Sequence, residues 1–213
     1  MTIARIISLL EQEYGALRWQ SRSEPLSELI RTILSQNTSD VNSKRAFDQL
    51  VATFGSWEQV AEASTDQIAE AIKGGGLNRI KAGRIRTILE RIRKDQGSLD
   101  LGFLRALPSS EAKTWLEGLP GVGSKTAACV LLFSLGRPAL PVDTHIYRVS
   151  RRLGLIDSRA SAKEAHQLLE EMVPPQARYQ FHFHMLAHGR SICKAPCPLC
   201  HKCILGEGCP KII

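Results

Sequence analysis

A lysine follows a glycine-rich turn in the segment GLPGVGSKTA, residues 118–127. Lys125 stands at the predicted start of a helix that continues through KTAACVLLFSL. A free amine is a good nucleophile, but an ordinary lysine, with a pKa of ~10.4, is protonated at neutral pH. Burial and a helix N-terminus both lower that pKa. Lys125 lies at such a helix start, where an amine of lowered pKa would be chemically reactive.

The same segment does not fit a nucleotide-binding P-loop. The gap between its glycines is right, but Ser124 intrudes before Lys125, and the preceding SSEAKTWLE has a helical rather than a strand pattern. We predict instead a helix, a tight turn at Pro120 and Gly121, and a second helix from Ser124. The first N–H groups of that helix would favour an anion such as a DNA phosphate. A plain turn between two helices is the alternative.

A carboxylate comes eighteen positions after Lys125, in the segment PVDTHIYRVSRRLG. Asp143 is placed to cap the helix that begins with THIYRV. A carboxylate held beside a reacting sugar can also stabilise developing positive charge and move protons. Capping alone is the alternative to that chemical role.

Five of the six cysteines fall within residues 193–209. In a chain of 213 residues without secretory features, this block favours metal binding over disulfides. Four of the cysteines have the spacing C-x6-C-x2-C-x5-C: Cys193, Cys200, Cys203 and Cys209. Zinc and a [4Fe–4S] cluster are both chemically possible there. We interpret Cys197 as a free thiol and Cys129, on an apolar helix, as a core residue.

The composition suits a globular protein with an anionic partner. Lys and Arg number 28 against 21 Asp and Glu, a net charge of +7, which favours nucleic acid, although mild basicity also arises by chance. The N-terminus lacks a signal-peptide cleavage site, and no apolar run approaches the ~18–20 residues of a membrane span. We therefore expect a cytoplasmic protein, associated with the nucleoid if the source is prokaryotic.

Helical patterns run through the chain, and no clear strand pattern appears. Three capping boxes are predicted, pairing Ser56 with Gln59, Ser64 with Gln67, and Ser161 with Glu164. The segment 78–93 predicts a helix with a buried apolar stripe: Ile85, Ile88, Leu89 and Ile92. Seven basic residues of this segment and its end are predicted to lie largely outside: Arg79, Lys81, Arg84, Arg86, Arg91, Arg93 and Lys94. Their face is either simply solvated or a phosphate-contacting surface, and solvation is favoured.

Together, LPGVGSKTA, VDTHIYRV and the cysteine spacing resemble the helix-hairpin-helix, Gly-Pro-Asp type DNA glycosylases. Within that superfamily the chain is most similar to the endonuclease III family, over nearly its whole length. The resemblance implies an all-α fold of two lobes flanking a DNA-binding groove. A six-helix lobe with the helix-hairpin-helix would cover 19–137, and 1–18 plus 138–213 would form an iron-sulfur lobe. It also implies a monomer, a [4Fe–4S] cluster with a structural role on the four cysteines, and a monovalent cation at the hairpin.

The resemblance further implies base-excision chemistry on double-stranded DNA with a damaged base or an abasic site. Lys125 would attack C1′ of the sugar, expel the base and form an imine, and loss of the C2′ proton would then eliminate the 3′ phosphate. Asp143 would be the essential acid. The expected enzyme is a bifunctional glycosylase and abasic-site lyase for oxidised pyrimidines. The alternatives are a mismatch-specific glycosylase and a non-catalytic, redox-sensing DNA-binding protein.

Further DNA contacts are carried over from the family. A polar side chain after the second helix would fill the gap left by the extruded base. Gln36 has the residue type of the family and Asn37 has the aligned position. Leu77 would wedge the opposite strand, with packing at a helix end as the alternative. The remaining expected contacts lie in the hairpin and the cysteine loop: Leu119, Gly121, Gly123, Lys194 and Lys202. Glu117 aligns with a pocket glutamate, and the alternative is a surface helix residue.

Overall fold

The protein is entirely helical in the part of the chain that its computed structural model describes, residues 1–211, where no strand occurs. The all-α prediction is confirmed. The chain contacts divide the molecule into two compact units. We call residues 21–135 the hairpin unit, and residues 1–20 with 136–211 the cysteine unit. The last two residues of the predicted iron-sulfur lobe, 212–213, lie outside the described residues.

The hairpin unit contains seven α-helices. They are α2 (Pro25–Ser35), α3 (Asp40–Phe54), α4 (Trp57–Glu62), α5 (Thr65–Ala71), α6 (Asn78–Gln96), α7 (Ser109–Glu117) and α8 (Ser124–Phe133). Two 3-10 turns, Lys73–Gly75 and Gly102–Arg105, join them. α2 packs against α3, α6 and α8. Because every residue of α8 from Thr126 to Phe133 is buried, packing on all sides stabilises that helix.

The cysteine unit is built around the longest of its helices. It contains α1 (Ile3–Tyr14), α9 (Thr144–Arg152), α10 (Ala162–Met172) and α11 (Arg178–Ser191), and α11 contacts both α1 and α9. Short 3-10 turns at Pro175–Ala177, Cys200–Lys202 and Gly206–Gly208 complete it. The core joins apolar side chains of all four helices, including Leu10, Val149, Leu169 and Met185, and Cys193, Cys203 and Cys209 pack against it.

Most local predictions agree with this structure. The four residues of the apolar stripe on α6 are fully buried. Ser64 and Ser161 form complete capping boxes, whereas Ser56 only accepts the Gln59 N–H, so that box is half formed. The prediction for Lys81 is wrong, because its side chain is only 2% exposed. Among residues 1–211, no helix combines the length and the apolar character that a bilayer span requires.

Candidate functional site

The turn between α7 and α8 is a tight hairpin. The Val122 N–H donates to the Leu119 carbonyl at 3.1 Å, and Gly121 has φ +72°, a left-handed conformation that favours glycine. Gly123 is the N-cap of α8 and contributes no side-chain hydrogen bond. The first N–H groups of α8 have no acceptor within their own helix, so this turn can receive an anion.

Lys125 is the second residue of α8 and is half-buried. Directly after it, the buried Thr126 hydroxyl accepts a hydrogen bond from the Gln36 amide at 3.5 Å. One turn further along, burial raises the pKa of the Cys129 thiol to about 11, and the nearby positive charge of Lys125 opposes that rise. Cys129 is therefore a buried core thiol, and Lys125 is the neighbouring amine that reaches partly into solvent.

The loop after α2 holds the two residues considered for filling the gap in the DNA. The Gln36 amide is bound inside the protein, since it donates to Thr126 and accepts from the Arg84 guanidinium. Asn37 is exposed and has φ +51°. The two residues thus differ in their surroundings. The Gln36 side chain is hydrogen-bonded inside the protein, whereas Asn37 is exposed.

The turn before α6 carries the wedge candidate. Leu77 is the N-cap of α6, with φ 50° and ψ 33°, and is 50% exposed. A left-handed leucine is uncommon, and half of its apolar side chain is left in water. The side chain is therefore not a fully packed helix end.

The other hairpin-unit candidates differ in their exposure. Leu119 is buried, so only its backbone can face a partner, whereas the backbone of Gly121 and Gly123 is exposed. Glu117 is the exposed last residue of α7.

In the cysteine unit, Asp143 is the N-cap of α9. Its Oδ1 accepts the Ile146 N–H at 2.8 Å, as predicted for a cap. The side chain is half-buried. The capping bond fixes the direction of the carboxylate, which a catalytic group requires.

The four spaced cysteines line one small cavity of about 30 Å³. Val149, Leu153, Ile192 and Pro198 contribute apolar wall, and Arg152, His188 and Lys211 line the same cavity beside the thiols. Burial raises the pKa of the Cys203 thiol, and the other three cysteines act in the same direction. These thiols have formed no disulfides. In the described part of the chain, no three His, Cys, Asp or Glu side chains are arranged to hold a metal ion.

Polar groups around the cavity lie within hydrogen-bond distance of the sulfur atoms. Arg152 lies 3.5 Å from Cys193 Sγ and also donates to the Lys194 carbonyl at 2.7 Å. His188 Nε2 lies 3.3 Å from Cys203 Sγ, and the Lys211 N–H donates to Cys209 Sγ at 3.4 Å. Donors of this kind stabilise thiolates, so the residues present fit a thiolate-bound group.

The two lysines and the fifth cysteine of this loop lie at the surface. Lys194, Lys202 and Cys197 are exposed. Two histidines of α11 are instead buried, His184 against the Gly15 carbonyl and His188 beside the Tyr14 hydroxyl, both at 2.9 Å. Hydrogen bonding inside the unit accounts for their spacing.

Sequence reasoning missed three residues that organise these sites: Lys81, Arg84 and Arg152. Each lies on a helix that carries several other basic residues, so residue type alone does not show which of these cations has a structural role. Their partners are 41 to 48 positions away in the chain or are backbone carbonyls. No local pattern encodes such contacts.

Comparison with known proteins decides the family. Residues 30–175 match the family described as HhH-GPD superfamily base excision DNA repair protein. The chain belongs to this superfamily. Endonuclease III of Thermotoga maritima is 34% identical over 90% of the chain and 85% of its own length. Endonuclease III of Sulfolobus acidocaldarius is 32% identical over 85% of the chain and 79% of its own length. These matches confirm the resemblance to the endonuclease III family.

A protein of Arabidopsis thaliana, named as an inferred DNA glycosylase, is 39% identical over 79% of the chain, which spans 58% of that relative's length. Among solved structures, a trapped covalent intermediate of endonuclease III with DNA has a TM-score of 0.85 at 27% identity, covering 98% of this chain and 94% of that one. A thermostable thymine-DNA glycosylase shares the fold, with a TM-score of 0.81 at 23% identity. The match covers 98% of this chain and 95% of that one. The chain thus has the fold of DNA glycosylases of its superfamily.

Proposed function

We propose that this chain is a bifunctional DNA glycosylase and abasic-site lyase of base excision repair, acting on oxidised pyrimidines in duplex DNA. The observation that carries the proposal is Lys125 at the open start of α8, directly behind the hairpin turn. An amine there would be presented next to the backbone N–H groups that can receive a DNA phosphate. A serine or tyrosine at this position would lack the amine that imine chemistry requires.

The reaction proceeds through covalent intermediates between Lys125 and C1′ of the sugar. The Lys125 amine attacks C1′, the C1′–N bond breaks, and the base leaves with a proton. Opening of the sugar gives an imine between Lys125 and C1′, which acidifies the C2′ proton. Loss of that proton breaks the C3′–O bond and releases the 3′ phosphate, and water then hydrolyses the imine. Asp143 stabilises the positive charge on the sugar and assists the proton transfers.

Trapping with borohydride tests this assignment. Reduction of the imine on abasic-site DNA should leave a covalent protein–DNA adduct that depends on Lys125. Lys125→Gln should bind the DNA and form no adduct, and Lys113→Gln, on the neighbouring α7, should trap normally. An adduct that persists in Lys125→Gln, or no adduct with the unaltered chain, would overturn the proposal. A panel of duplexes with thymine glycol, uracil, 8-oxoguanine and mismatched thymine would separate oxidised-pyrimidine repair from mismatch repair.

The proposal includes a [4Fe–4S] cluster on Cys193, Cys200, Cys203 and Cys209. When bound, the cluster would cross-link the loop 193–209 and so hold the exposed Lys194 and Lys202 towards a phosphate backbone. Support comes from the shared cavity and from the polar groups within hydrogen-bond distance of three of the sulfurs. Iron and acid-labile sulfide in equal amounts, lost together in Cys203→Ser, are the expected result. Stoichiometric zinc without sulfide would refute the cluster.

A monovalent cation at the carbonyls of the hairpin is the second proposed ligand. Replacing K⁺ by tetramethylammonium, which cannot enter a ring of carbonyls, should weaken DNA binding at constant ionic strength. Equal affinity in the two salts would remove the cation from the proposal.

A further inference from the structure

Lys81 is among the largest side chains that the fold buries completely. It lies in the first turn of α6, and its Nζ donates to two backbone carbonyls, Leu34 and Gly75, at 2.8 Å each. Burial lowers the pKa of this ammonium. In the chain from 1 to 211, it has no carboxylate partner. A buried ammonium is costly unless its donors are bound, so these two bonds are the reason that the fold tolerates it.

The two carbonyls belong to different segments. Leu34 lies in the last turn of α2, where carbonyls have no donor within their own helix and the helix dipole is negative. Gln36 and Asn37 follow the end of this helix. Gly75 ends the 3-10 turn Lys73–Gly75, two positions before Leu77. One ammonium therefore joins the loop with the gap-filling candidates to the turn with the wedge candidate.

Neighbouring contacts make this junction rigid. A Cβ at Gly75 would lie 2.9 Å from the Ala46 Cβ, so the turn is seated closely against α3. The Asn78 amide donates to the Ala69 carbonyl at 3.0 Å and fastens the other end of the turn. One helical turn after Lys81, Arg84 binds Gln36. Movement of either segment would break hydrogen bonds of the other.

We propose that Lys81 is a positioning residue that keeps the loop 36–39 and the turn 73–77 in fixed register, so that their side chains enter the DNA together when a base is extruded. This inference rests on the proposed function. Extrusion requires that the gap be filled and the opposite strand be separated in one event. The two hydrogen bonds of the Lys81 ammonium hold the loop and the turn in fixed relative positions. Insertion of the gap-filling side chain and insertion of the wedge side chain are thereby coupled, although Lys81 does not contact DNA.

The test compares two reactions of the full chain in Lys81→Met, which keeps the length of the side chain and removes the donors. The expected loss is roughly 10- to 100-fold in single-turnover excision of thymine glycol, the scale for a catalytic group misplaced by about 1 Å. Elimination at a preformed abasic site should fall much less, because no base has to leave the stack. Fluorescence of 2-aminopurine beside the lesion should show reduced unstacking.

A matched control comes from the same helix. Ile88→Ala removes buried packing from α6 and touches neither carbonyl, so it should lower stability while keeping the ratio of excision to elimination unchanged. The double variant Leu77→Ala/Lys81→Met should lose less than the two single losses combined, because both changes disable one insertion. If Lys81→Met does not fold, Lys81→Gln, which replaces the ammonium by a shorter, neutral amide, serves in its place.

Equal losses in both reactions, the same ratio change in Ile88→Ala, or additive losses in the double variant would each overturn the inference. Failure of the proposed function is recognised separately, by the absence of excision and of a borohydride adduct in the unaltered chain. The 2-aminopurine signal does not depend on chemistry. If the proposed function fails, the positioning role can therefore still be tested. Equal unstacking by the unaltered chain and by Lys81→Met would refute it.

Discussion

Asp143 combines a structural and a proposed chemical role, and two substitutions separate them. Its Oδ1 caps α9 through the Ile146 N–H at 2.8 Å. Asparagine is as good a cap as aspartate, whereas alanine cannot accept the bond. Asp143→Asn should therefore keep the helix start and remove only the carboxylate. Asp143→Ala should remove both.

The magnitudes follow from the capping bond and from the proposed charge stabilisation. Loss of a cap costs about 1 kcal/mol, which for a chain of this size lowers Tm by roughly 2–4 °C. Loss of a group that stabilises charge or moves a proton in the transition state costs roughly 100-fold or more in rate. Asp143→Asn should thus retain Tm and lose activity, and Asp143→Ala should lose activity to a similar extent together with the cap.

Thermal unfolding and single-turnover base excision are measured on the same preparations. Ser161→Ala provides the control, since Ser161 caps α10 in the same unit and has no proposed chemical role. It should lower Tm to a degree similar to Asp143→Ala and leave excision unchanged. Near-normal excision by Asp143→Asn would refute the chemical role. A Tm loss in Asp143→Asn as large as in Asp143→Ala would refute the interpretation of the cap.

Three further predictions concern the hairpin, the loop after α2 and a buried histidine. Gly121→Ala places a side chain at φ +72° against Arg84, so Tm should fall by a few degrees, from a backbone cost of about 1–2 kcal/mol, and DNA affinity should fall in a binding titration. Asn37→Ala should impair excision without changing Tm. Gln36→Ala should lower both excision and Tm, because the Gln36 side chain is hydrogen-bonded inside the protein. The reverse pattern would make Gln36 the residue that fills the gap in the DNA. Burial lowers the pKa of His184 from 6.5, so the unfolded chain takes up its proton first as the pH falls. The stability due to neutral His184 is therefore present above about pH 6.5 and is lost below it, and Tm should fall less steeply on acidification in His184→Gln.

Much of the local structure could be predicted, because periodicity and capping are encoded within a few residues. The apolar stripe of α6 repeats at helical spacing, and its four residues are fully buried. The start of α8 at Ser124 and the cap at Asp143 were predicted from residue types alone. The cysteine spacing predicted that four thiols would converge, but the identity of their ligand depends on chemistry that the residue types leave open.

The junction at Lys81 could not be predicted in this way. Lysine is polar, and every scale that assigns it to the surface ignores which backbone carbonyls are left without donors. The Leu34 carbonyl is unsatisfied only because α2 ends there, and it lies 47 positions away in the chain. Burial of Lys81 is thus a property of the tertiary structure. The same holds for Arg84 and Gln36, which are 48 positions apart.

The charge that α6 offers to DNA is smaller than its composition suggests. Seven basic residues were predicted to form its outer face: Arg79, Lys81, Arg84, Arg86, Arg91, Arg93 and Lys94. Lys81 is inside the protein, and Arg84 binds Gln36. Arg86 and Arg91 pair with Glu90 and Asp95 at 2.9 and 2.6 Å. The other three cations of the seven, Arg79, Arg93 and Lys94, have neither kind of partner among residues 1–211. Since each phosphate contact contributes about 0.9 to the salt dependence of binding, contacts by these three cations alone would give a slope of about 3, against about 6 for all seven. The net charge of +7 therefore describes the attraction of DNA to the whole chain, whereas the hydrogen bonds decide which cations can contact it.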